Sequence, residues 1–224
     1  MSNDFWGLRT LYEMKQFKAM QIRFILYVGG RLGYKVAAFL WFLFVPFCVS
    51  FASAGSGFPL VAGSQAADLF LDQGDWKVAQ IAANDLAEDV ERVTGTKPQI
   101  QHEVAALGSR AVLIGTLGRS PIIDRLVASG KLDVSDVVGQ WETFVITSIE
   151  NPLPGMDRAL VVAGSDRRGT AYGVYELSRR IGVSPWSWWA DVRPEKRAEL
   201  SVDSERMKVG PPAVKYRGIF LNDE

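Results

Sequence analysis

Ala111-Val112-Leu113-Ile114-Gly115 carries no polar side chain. A strand alternates its side chains between two faces, so a run that is apolar at every position suits a central strand covered on both sides. The flanking sequence supplies the other parts. Ala67-Asp68-Leu69-Phe70-Leu71 reads as a strand. Asp75 is placed to cap a helix from Trp76 to about Val93, with Val78, Ile81, Leu86, Val90 and Val93 at near-helical spacing. Asn84, Asp85, Glu88, Asp89 and Glu91 fall mostly on the solvent side of that helix, and Gly95 suits its C-terminal cap. Ile100 to Val104 reads as a short polar strand.

Ser120-Pro121 opens a second helix with a capping hydroxyl and a proline in the first turn, and Gly130 closes it. Thr143–Thr147 and Ala159–Ala163 form two further strands, joined by a loop rich in turn residues, as in an antiparallel hairpin. Gly169 to Arg180 forms another helix, ended by Gly182. Strands mixed with helices in this way define an α/β sandwich over residues 55–182.

The formal net charge is zero but unevenly spread. Residues 1–54 hold six basic and two acidic residues, a net of +4, which leaves −4 for the remainder. A mildly acidic body lacks the electrostatic footprint of a nucleic-acid binder. The basic segment leads into an apolar run from Val36 to Phe51, followed by the small residues Ala52-Ser53-Ala54. Sixteen apolar residues interrupted by Pro46 are short for a membrane span. A cleaved export signal over 1–54 is the favoured reading, an uncleaved anchor its alternative, and Met14 or Met20 is a candidate start. A secreted or periplasmic location follows, with membrane contact only through the signal. Cys48, the single cysteine, lies within this segment, so no disulfide is expected in the exported part.

Asp166-Arg167-Arg168-Gly169-Thr170 joins a strand to a helix start. Arg167 and Arg168 beside helix N–H groups have the donors and positive potential to take a carboxylate or phosphate, although a solvated turn explains the motif as well. The glycines fit neither a dinucleotide fingerprint nor a P-loop. His102, the only histidine, reads as a surface residue, and without partners it builds neither a zinc site nor a Ser-His-Asp triad. No cofactor is implied. Trp186, Trp188 and Trp189 cluster in a connection spanning 183–212, suited to domain-interface packing or to stacking on sugar rings. Val214 to Leu221 then reads as a buried strand running into Asn222-Asp223-Glu224. Polar residues there match the C-terminal mouth of a first barrel strand, with a turn as the plain alternative.

Four stretches together carry a resemblance: Trp76–Gly95, Ser165–Gly182, Val183–Val192 and Val214–Glu224. The chain resembles the N-terminal portion of glycoside hydrolase family 115, the xylan α-1,2-glucuronidases; the last three stretches in this order are its specific part. The resemblance implies an α/β domain similar to the non-catalytic domain of β-hexosaminidases, leading at residues 213–224 into a truncated (β/α)8 barrel. It implies removal of (4-O-methyl-)glucuronic acid side chains from glucuronoxylan, by inversion with two carboxylic acids. The main acid and base would lie on later barrel strands, leaving this chain inactive alone. Asn222, Asp223 and Glu224 match the strand end that enters the glucuronate pocket, with Asn222 and Glu224 on one face. Arg167 or Arg168 would reach the substrate carboxylate, and a homodimer is possible at full length. A non-catalytic carbohydrate-binding or cell-surface module is the rival reading, and another glycosidase with the same front domain a third.

Overall fold

The protein is described by a computed structural model that covers residues 57–187 and 190–218. The expected export signal with Cys48, Trp188, Trp189 and Asn222-Asp223-Glu224 lie outside the described residues.

Nine strands and three α-helices are present among the described residues: β1 (Phe58–Ala62), β2 (Gln65–Ala66), β3 (Asp68–Leu71), α1 (Lys77–Thr94), β4 (Ile100–Gln101), β5 (Arg110–Thr116), α2 (Pro121–Ala128), β6 (Phe144–Glu150), β7 (Arg158–Gly164), α3 (Arg167–Arg180), β8 (Leu200–Val202) and β9 (Met207–Val209). Six of the strands form one sheet in the order β4-β3-β5-β7-β6-β9, and β2-β1-β8 form a small second sheet. The inner strands β3, β5 and β7 run parallel to one another. β6 returns antiparallel to β7, as the hairpin expectation required.

The apolar runs are explained by burial on both faces. In β5, Val112 and Ile114 enter one core layer while Ala111 and Leu113 enter the other. β7 repeats this division, with Leu160 and Val162 opposite Ala159, Val161 and Ala163. The first layer is closed by α1, α3 and the small sheet, the second by α2 and the loops that follow it. Each large aliphatic side chain removed from water in these layers contributes about 1.5–3 kcal/mol.

α1 packs through Ala79, Ala82, Ala83, Leu86, Val90 and Val93, and the alanines let it lie close against the sheet. Two details differ from the sequence reading: Ile81 faces outward, and Asp89 is buried. The α1 cap position belongs to Trp76 and has no side-chain cap, because Asp75 turns inward. Ser120 likewise does not cap α2; its hydroxyl bonds Asp72. The strand expected over Ile100–Val104 stops at Gln101 and gives way to a 3-10 turn.

Residues 183–212 contain more order than a connection suggests. Their β8 pairs with β1 and their β9 extends the main sheet beside β6. Val214 to Gly218 form no strand, and the remainder of the strand expected there lies outside the described residues. Among the described residues, no helix is long and apolar enough to cross a membrane.

Candidate functional site

The chain steps from β3 to β4 on one side and to β5 on the other, so β3 and β5 flank a switch point of the kind where open α/β sheets offer ligand crevices. The C-terminal ends of β3, β5 and β7 bring three loops together here. Asp75 takes the Thr116 N–H at 2.7 Å on one carboxylate oxygen and the Thr116 hydroxyl at 2.8 Å on the other. The Thr116 and Thr170 hydroxyls lie 2.7 Å apart, which joins β5 to α3. Trp76 is partly exposed at the rim, with the Arg119 guanidinium 4.1 Å and the Arg167 guanidinium 5.9 Å from its ring centre.

Arg167 and Arg168 occupy the first turn of α3. Asp166 caps that helix by accepting the N–H groups of Arg168 at 3.0 Å and Gly169 at 2.8 Å. The helix terminus is thereby supplied with an internal carboxylate where the sequence reading had room for an external one. Arg168 donates to Glu142 at 2.8 Å and to the Tyr172 hydroxyl at 3.1 Å. Glu142 also pairs with Arg217. Arg167 is exposed and forms no ion pair among the described residues.

Beyond this cluster lies a cleft of about 670 Å³, bounded by α1, α3, residues 183–187 and residues 209–217. Its floor includes Asp89 and Ser178. Burial pushes the Asp89 carboxyl above its ordinary value, against the opposing pull of Ser178 and Arg92. Tyr175 donates to Asp85 at 2.6 Å, and burial together with that carboxylate pushes the phenol up to about 12. Glu176 is held low by Arg179 and Arg180 despite partial burial.

This arrangement can bind and orient polar groups. His102 is exposed, and its Nδ1 donates to the Leu71 carbonyl at 2.7 Å, since a carbonyl can only accept. No group of three or more His, Cys, Asp or Glu suited to a metal ion occurs among the described residues. Trp186 is 63% exposed. Sequence reasoning gave no role to Glu142, nor to Arg217 within the Val214–Glu224 stretch, because neither side chain stands in a periodic pattern.

No family model matches the chain, and no curated protein matches it. Among solved structures it is similar to BtGH115A, a GH115 4-O-methyl-α-glucuronidase with specificity for decorated arabinogalactans, at 30% identity and a TM-score of 0.56 over 67% of this chain. The fold is GH115-like. The chain spans only 18% of that structure's length. CpGH84D aligns at 15% identity and a TM-score of 0.37, over 61% of this chain and 19% of its own. The polar edge and cleft described above therefore belong to a GH115-like domain, similar to part of one solved glycoside hydrolase.

Proposed function

We propose that this chain is the front part of an exported glycoside hydrolase of family 115, which removes (4-O-methyl-)glucuronic acid side chains from a plant glycan such as glucuronoxylan. The observation that carries the reading is the 30% identity to a 4-O-methyl-α-glucuronidase, sustained over two thirds of the chain. In this reading the α/β domain supports a barrel whose first strand ends at Asn222-Asp223-Glu224. Asn222 and Glu224 meet the uronate, and later strands supply the acid that protonates the leaving oxygen and the base that activates water. Arg167, which pairs with no carboxylate among the described residues, is the better placed of the two arginines for a uronate carboxylate. The solved neighbour acts on decorated arabinogalactans, so both glycans are test substrates.

The complete protein should release 4-O-methylglucuronate from glucuronoxylan or from decorated arabinogalactan, measured by product chromatography. Glu224→Gln should lower turnover by about 100-fold or more with the melting temperature unchanged. Wild-type turnover in that variant, or no uronate released from either glycan, would overturn the assignment.

The exposure of Trp186 (63%) and Tyr216 (85%) favours a second reading, a module that binds carbohydrate without cleaving it. Tryptophan emission quenched by xylo-oligosaccharides supports this module, whereas emission indifferent to them removes its basis.

A further inference from the structure

We infer that Glu142 is a positioning residue, a buried carboxylate that clamps Arg217 and so fixes the course on which the chain leaves the α/β domain. Glu142 is 6% exposed. Its φ of +49° lies in the left-handed region that non-glycine residues seldom adopt, so the surroundings must hold it there. They do so at three adjacent points. The Glu142 N–H donates to Asp166 at 2.8 Å, the Thr143 N–H to the Ser165 hydroxyl at 3.0 Å, and the Ser165 N–H to the Thr143 carbonyl at 2.8 Å. Asp166 is also the cap of α3, so the backbone of Glu142 is referenced to that helix.

A carboxylate buried this far needs ionic or hydrogen-bond partners. One oxygen of Glu142 takes Arg168 from α3, and the other takes Arg217 from the departing segment. Arg217 further donates to the Val214 carbonyl at 2.8 Å, and its guanidinium sits 5.9 Å from the Trp141 ring centre. Residues 213–218 are otherwise exposed and lack regular structure. Among the described residues, the Arg217 side chain is what ties this segment to the domain. Arg168 is thereby one jaw of the clamp, and Arg217 stands five positions before Asn222. The consequence for chemistry rests on the proposed role of residues 222–224; the clamp itself does not.

The test is native-state trypsin cleavage at the Lys215–Tyr216 bond, followed by mass spectrometry in the wild type, Glu142→Gln, Arg217→Gln and the double variant. Each single variant should speed cleavage about tenfold, and the double variant should be no faster than the faster single one, because both remove the same tie. Far-UV circular dichroism checks the fold, and Arg217→Gln alone serves if Glu142→Gln does not fold. Cleavage unchanged in Arg217→Gln, or effects that multiply in the double variant, overturns the clamp. In the complete protein Arg217→Gln should lower kcat with KM and melting temperature unmoved. Faster cleavage with an unchanged kcat would keep the clamp and overturn the catalytic reading of residues 222–224.

Discussion

Asp75 and Thr116 are joined twice, through the Thr116 N–H at 2.7 Å and its hydroxyl at 2.8 Å. Both residues are buried, and they lie 41 positions apart in sequence. The pair fastens the loop after β3 to the end of β5 at the switch point, and the contact from Thr116 to Thr170 carries the link to α3. The polar edge of the sheet is thus ordered by its own hydrogen bonds.

Asp75→Ala should cost about 3 kcal/mol of unfolding free energy, since it leaves two buried donors without their charged acceptor. Thr116→Val keeps the N–H bond and should cost about 1–2 kcal/mol. Urea denaturation of the two variants checks the order; equal and small losses would mean the pair contributes little.

Gly164 ends β7 where α3 begins. A methyl group there would collide with the Thr170 backbone nitrogen and hydroxyl, which cannot retreat without moving the helix. Gly164→Ala should therefore destabilise by about 2–3 kcal/mol. Gly108→Ala, in open space, is the control and should be near neutral. Thermal melts of both variants decide it, and matching melting temperatures would refute the close approach.

The parts of the fold legible in sequence were those set by local pattern. Ala111–Gly115 read as a doubly covered strand because its apolar side chains fall on both faces, and that is where it lies. Gly95 ends α1 with φ +81°, as its residue type suggests. Asp75 and Ser120 have cap-forming side chains at cap-like positions, but Thr116 and Asp72, distant in sequence, compete for them and win. The three-residue strands β8 and β9 are too short to display a period inside a charged stretch. The clamp was invisible for a related reason: Glu142 and Arg217 are 75 positions apart, and the stretch around Arg217 does not point to its partner.

Asp89 gives a pH test. Burial raises its carboxyl pKa in the folded state above the ordinary carboxylate value of 3.8, even with Arg92 paired at 2.8 Å. The folded protein then binds the proton more tightly than the unfolded chain, so stability declines as pH rises from the ordinary value through the raised one. Asp89→Asn escapes that loss. Its urea midpoint should exceed the wild type's at pH 7, with the difference shrinking as pH falls toward the ordinary carboxylate value. A difference that is constant with pH would show that Asp89 titrates alike in both states.

Tyr175 extends the same logic to alkaline pH. Its hydroxyl donates to Asp85 at 2.6 Å, and burial followed by that bond pushes its pKa up to about 12 from 10.0. Ionisation would lose the bond and set a phenolate against a carboxylate, so the neutral form is favoured in the fold. The stability supplied is full below pH 10 and fades as pH rises through about 12. Ultraviolet titration should show a late-ionising step that is absent in Tyr175→Phe and shifted toward the ordinary range in Asp85→Asn. If Asp85→Asn leaves that late step in place, burial alone sets the shift and the hydrogen bond between α1 and α3 contributes nothing to it.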